Sequence, residues 1–306
     1  MEKRNFIIIA ILMLVASACS TGKKLLVSDD EVVRVLNETG TAQSTLTPFS
    51  DSVAAWKQGK QFAVVDDQVR HLFTPTNEIL SDTSHLAGHY LRYDGYDTGS
   101  VLDNRPTVNI RFVDDAGHTY VYPTGKTIDA LGGDYTIPLL IDMDMVESVR
   151  RQLVGRDVYI RTSIWYDPAM LNMVAGRKFI KVHITGVEPG NKVLPLRVLF
   201  TASDDGTGAM LWMSAGKHTM RNRDFDALFS TTDLRLQYPS ISDATWDRIV
   251  HGQVVADMTK DECRLALGQP KRISQRPDQS ALSEYWYYDG GTYLYFVDGL
   301  LRNYRK

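Results

Sequence analysis

The chain has 306 residues, 43% of them hydrophobic and 23% charged, which is the balance of a folded protein with room for two or three domains. That composition excludes a wholly disordered chain and a polytopic membrane protein. A formal charge of −3 gives no electrostatic footprint for nucleic acid, and two cysteines exclude a disulfide-rich scaffold or a four-thiolate zinc site.

The chain opens with Lys3 and Arg4, an apolar run from Phe6 to Val15, then Ala16, Ser17, Ala18 and Cys19. A basic start, a short apolar core and small residues before a cut make a secretory signal. The run is too short to cross a bilayer, which takes about 20 residues. A cysteine directly after the small residues resembles the signal of bacterial lipoproteins. The resemblance implies removal of residues 1–18, acylation of Cys19 and lipid anchorage to a membrane. An ordinary secretory signal and an uncleaved anchor are the alternatives. Removing residues 1–18 takes away Glu2, Lys3 and Arg4, a net charge of +1, so −3 becomes −4. Each buried CH₂ of an acyl chain adds about 0.8 kcal/mol, so several chains on one cysteine hold firmly. Neither an acidic cluster nor an aspartate stands directly after Cys19, where Ser20, Thr21, Gly22, Lys23 and Lys24 follow, so the expected location is the outer membrane, facing the periplasm. Cys263 is then the only free thiol, and no intramolecular disulfide can form.

Residues 19–58 read as a tether with short helices. Ser28 and Glu31 form a capping box ahead of Val32, Val33, Val35 and Leu36, and Val53 to Lys57 is a further helical turn. Residues 59–140 read as a first β-rich unit, and residues 141–238 as a helix plus a second one. Strands are predicted at Phe62–Val65, Tyr90–Tyr93, Thr107–Val113 and His118–Tyr122. A second set is predicted at Val158–Trp165, Lys178–Val187, Leu196–Thr201 and Ala209–Met213. Val108, Ile110 and Phe112 alternate with Asn109 and Arg111, the period of a half-buried strand. Asp144 and Glu147 read as the cap of a helix whose apolar side is Val146, Val149 and Leu153.

The two sets run in the same order. Val108–Phe112, an Asp-rich hairpin, Tyr120–Tyr122 and Asp129-Ala130-Leu131 correspond to Leu196–Phe200, a second Asp-rich hairpin, Met210–Trp212 and Asp226-Ala227-Leu228. Leu86-Ala87-Gly88 corresponds to Leu153-Val154-Gly155. Two small β-barrel-like units are expected; they resemble bacterial SH3-like barrels, with a periodic all-β sandwich as the alternative.

Residues 239–306 read as a small α+β (ααββ) module in a mostly β protein. Ser242–His251 has helical spacing. Thr259 and Glu262 form a capping box, Gly268 stops the second helix and Pro270 prevents its return. Tyr285–Tyr288 and Tyr293–Val297 are strands joined through Asp289-Gly290-Gly291, and Asp298-Gly299 turns into Leu300-Leu301. Over residues 242–304 the pattern resembles the BamE-like (SmpA/OmlA) family of outer-membrane lipoprotein modules. The matching residues are Trp246, Ile249 and Gly252, then Met258–Glu262, Leu267-Gly268-Gln269-Pro270, Trp286-Tyr287-Tyr288 and Phe296–Gly299; Asp257 stands where the family has glycine. The resemblance implies action by contact in outer-membrane protein assembly, without catalysis.

Asp97-Thr98-Gly99-Ser100 matches the aspartic-protease signature. That chemistry needs a second aspartate, and the expected equivalent stretch of the second unit is Ile164-Trp165-Tyr166, so a surface turn is expected. His85 and His89, and Asp142 and Asp144, have metal-pair spacing, but loop and cap roles account for them. Cys263 sits on an apolar helix side as a core thiol. No catalytic residue, metal site or cofactor is therefore expected. The dense aromatics point instead to a contact surface, with Tyr285, Tyr287, Tyr293 and Tyr295 as its candidates. The expected function is a non-enzymatic envelope lipoprotein acting on envelope proteins; the alternative is binding of cell-wall glycan.

Overall fold

A computed structural model describes residues 46, 47, 49, 51–75, 85–102, 105–169, 171–215, 223–277 and 282–305. Cys19 and the helix expected at 28–36 lie outside them. The chain is mostly β, built on three antiparallel sheets.

The first sheet holds β1 (Gln61–Val64), β2 (Tyr90–Leu102), β3 (Arg105–Val113), β4 (Thr119–Pro123) and β5 (Leu140–Asp142), in the order β4-β3-β2-β1-β5. The alternation at Val108, Ile110 and Phe112 places all three in the core, with Phe62, Leu91 and Tyr120. Asp114 sets the β3–β4 turn by accepting from the amides of Ala116 and His118, while Gly117 takes φ +90°. Val53 and Trp56 are buried in this same core, so the expected tether ends earlier than residue 58. The expected boundary at 140/141 cuts β5, all of which belongs to this sheet.

Asp142 ends β5 and caps α1 (Met143–Leu153), accepting from the Asp144 amide. The cap therefore sits two residues before the expected Asp144, because a short strand runs straight into the helix and leaves no linker. Val146, Val149 and Leu153 pack into the core of the second sheet. That sheet comprises β6 (Asp157–Ile160), β7 (Ile164–Tyr166), β8 (Met173–Ala175), β9 (Lys181–Pro189), β10 (Leu196–Ala202), β11 (Gly208–Met213) and β12 (Phe229–Ser230). Its order is β12-β6-β9-β10-β11-β7-β8.

The strand expected over Val158–Trp165 is really two strands on opposite sides of this sheet. β6 pairs with β9, whereas β7 pairs with β11. In a flat sheet four inter-strand steps would separate them by about 19 Å. Yet Ile160 and Ile164 are four residues apart and reach at most about 14 Å. The sheet must curl, and it forms a half-barrel. Thr162 makes the corner: its hydroxyl accepts from the Ile164 amide and its carbonyl from the Trp165 indole.

The two sheets share a strand order. β11-β10-β9-β6-β12 repeats β4-β3-β2-β1-β5, with the hairpin β7–β8 added at one edge. In both copies a short helical stretch, Ile128–Ala130 or α2 (Phe225–Leu228), precedes the closing strand. The equivalences differ from the expected ones in one respect. β6 matches β1, so Leu153-Val154-Gly155 leads into the counterpart of β1 and not of β2.

The remaining residues form α3 (Asp243–Val250), α4 (Lys260–Leu267) and a meander of β13 (Arg272–Pro277), β14 (Leu282–Tyr287), β15 (Tyr293–Val297) and β16 (Leu300–Arg305). The α4 cap is a complete capping box between Thr259 and Glu262. Trp246, Ile249, Cys263, Trp286, Leu294, Phe296 and Leu301 form the third core. Leu234 and Tyr238, upstream of the expected boundary at 239, pack against it, as do Phe179 and Ile180.

Candidate functional site

The terminal sheet sorts its side chains by strict alternation. Glu284 and Trp286 on β14, and Leu294 and Phe296 on β15, turn inward and are buried. Tyr285, Tyr287, Tyr293 and Tyr295 therefore share the opposite face. Cross-strand register makes rows of them: Arg272–Tyr287–Tyr293–Arg305, then Ser274–Tyr285–Tyr295–Asn303, then Arg276–Ser283–Val297. The rings of Tyr285 and Tyr295 lie 4.7 Å apart, and the Tyr295 hydroxyl is 3.1 Å from that of Ser283. The Arg272 guanidinium sits 4.3 Å from the Tyr287 ring centre and that of Arg276 6.0 Å from Tyr285. All four sequence-predicted contact residues thus come together on one half-exposed face. The arginines beside them stand on β13, a strand that is absent from the sequence-predicted set. Its alternation of Arg272, Ser274 and Arg276 on one side was the available signal.

Beneath the platform, Glu284 is buried and fully partnered. Lys260 lies at 2.7 Å, the Gln275 amide at 2.5 Å and the Trp286 indole N–H at 2.9 Å. Burial alone would raise this carboxyl; the three partners outweigh it and hold it below the usual range. Tyr288 departs from the tyrosine face and donates to the Gly268 carbonyl. Burial, followed by the charge of Glu262, pushes the Cys263 thiol up to about 12, which keeps it protonated and inert as a nucleophile.

Asp97, His85 and His118 are tied elsewhere. Asp97 lies within β2, opposite Asn109, and not in a surface turn; its carboxylate accepts from Arg111 at 2.7 Å. By topology its counterpart in the second copy is Glu188, opposite Arg197, and that carboxylate also faces an arginine, at 3.5 Å. The Ile164 stretch was the wrong comparison. His85 bonds Asp67 at 2.8 Å; this contact, with the Leu86 and Ala87 amides, holds Asp67 down to about 2. His118 bonds Asp114 across the β3–β4 turn.

Asp142 and Asp144 do meet a cation, which is Lys60. Its side chain is 2% exposed, and its ammonium lies 2.6 Å from Asp144, 2.9 Å from Asp142 and 3.2 Å from Asp51. Burial pulls the Lys60 amine down, but the carboxylates outweigh it and raise it above its ordinary value. Among the described residues no cluster of three or more His, Cys, Asp or Glu could hold a metal.

Comparison with known proteins finds no matching family model, no matching curated protein and no matching solved structure.

Proposed function

We propose that this chain is a lipid-anchored cell-envelope protein that acts by protein contact, with the tyrosine face of the β13–β16 sheet as its contact surface. The observation that carries the reading is the convergence of Tyr285, Tyr287, Tyr293 and Tyr295 on one face. Aromatic clusters of this kind supply large contact area at low entropic cost and dominate binding energetics. The ties that occupy Asp97, His85 and His118, and the burial of the Cys263 thiol, favour contact over catalysis. A helix–helix–sheet module of the BamE-like kind is supported by two capped helices ahead of an antiparallel meander, although the meander has four strands where ααββ expects two. The SH3-like reading of the two preceding units rests on their shared order. In each, three strands form a meander, and the last strand returns beside the first after a short helical stretch. The signal-like start and Cys19 support lipid attachment at the periplasmic side of the outer membrane.

The test is recovery of partners from detergent-solubilised envelope, beside binding to purified cell wall. Tyr285→Ala with Tyr295→Ala is expected to lower protein recovery about thirtyfold in affinity, the effect of losing 2 kcal/mol at an aromatic anchor. Asp97→Asn is expected to match the parent, and Cys19→Ala to release the protein from the membrane fraction. Full recovery of partners by the tyrosine variant, with retention on cell wall lost instead, turns the assignment to glycan binding.

A further inference from the structure

We propose that the outer face of the β13–β16 sheet binds an acidic, extended segment of a partner protein. This rests on the contact reading above and narrows it to one partner chemistry.

The charge of this face points to an acidic partner. Acidic residues outnumber basic ones in the chain, 37 to 34. Yet the described positions of this face carry Arg272, Arg276 and Arg305 and no carboxylate. Among the described side chains, the strand arginines of the other two sheets face carboxylates. Arg92 pairs with Asp115, Arg111 with Asp97, and Arg197 with Glu188; Arg177, on the loop between β8 and β9, pairs with Asp204 and Asp205. Among the described residues Arg272, Arg276 and Arg305 have no such partner, and all three are exposed. Two of them rest against tyrosine rings, which restricts the side chain while leaving N–H edges for a carboxylate.

The layout also sets the shape of the segment. Arginines stand on both edge strands and tyrosines pave the two central ones. The face spans three inter-strand steps, about 14 Å. An extended chain covers that in about four or five residues. The fitting segment therefore has acidic residues at both ends and an apolar side chain between them, set on the tyrosines.

The experiment uses the mature protein and a fluorescein-labelled peptide, Glu-Glu-Ser-Leu-Ser-Glu-Glu, followed by anisotropy. Binding is expected, weakening as salt rises. Arg272→Ala with Arg305→Ala is expected to reduce affinity by tenfold or more, Arg272→Lys by less, and Tyr285→Ala also to weaken it. Arg248→Ala, on the helix side of the module, is expected to change nothing; circular dichroism checks that each variant folds. The proposal is overturned if the same peptide with Gln for Glu binds equally, or if the arginine variants bind as the parent does. It is also overturned if vesicles of equal parts phosphatidylcholine and phosphatidylserine bind through these arginines while the peptide does not. Loss of peptide binding alone, with envelope partners still recovered through the tyrosines, removes the acidic segment and leaves the contact reading standing. Peptide binding through the arginines, with envelope recovery indifferent to the tyrosines, sustains the acidic segment and removes that reading.

Discussion

Lys178 joins the second sheet's connecting loop to the terminal module through two helix ends. Its amide donates to the Val250 carbonyl at the end of α3, and its Nζ to the Ala266 carbonyl near the end of α4, at 2.5 Å. Helix C-termini welcome a cation. Here burial is stronger, and it brings the amine down to about 8 from its ordinary 10.5. The native state then releases this proton near pH 8 and the unfolded chain near 10.5. Between those values the unfolded chain binds more protons, so this group's contribution to stability rises with pH and levels off above 10.5. Urea midpoints measured from pH 7 to pH 10 are expected to show that rise in the parent relative to Lys178→Met, in which the difference is removed. An unchanging gap between the two proteins across that range refutes the buried-amine account.

Among the elements, α4 and β14 separate two kinds of stabilisation. Thr259→Ala removes one cap bond at an exposed helix start and should cost about 1 kcal/mol. Trp286 is fully buried against Phe296, at a ring distance of 4.7 Å, and Trp286→Ala should cost about 3–5 kcal/mol. Urea unfolding read at a fixed pH checks both, and equal losses would contradict the core described for the module. The α4 cap was legible in sequence because a capping box is a local event: Thr259 and Glu262 are three residues apart. The same reasoning misplaced the α1 cap, since Asp142 and Asp144 both look suitable and only the pairing of β5 with β1 chooses between them. The alternation that places the tyrosines on one face was equally local. The split of β6 from β7 was not, because both halves have strand composition and the break serves a curl defined by strands 20–50 residues further on. Strand β13 went unseen because Ile273 is the one large apolar residue in it, Pro277 ends it, and its pairing comes wholly from β14.

At the scale of the molecule, each copy of the repeated unit begins and ends at one place. β1 and β5 are antiparallel neighbours with Phe62 opposite Asp142, so the chain enters and leaves beside the same strand end. β6 and β12 repeat this with Tyr159 opposite Ser230. The pattern has a mechanical consequence. Tension along the chain pulls the adjoining ends of two antiparallel neighbours apart, breaking their few bonds in sequence and never loading them together in shear. A protein tethered at one end and gripped at its terminal sheet would bear load through both units in this weak direction. Single-molecule pulling through the two chain ends is expected to open β5 from β1 and β12 from β6 as early low-force events, before the meanders yield. Cysteines placed to pull across β2 and β3 along their length should instead resist to much higher force, so that these units give way like a zip and hold like a seam.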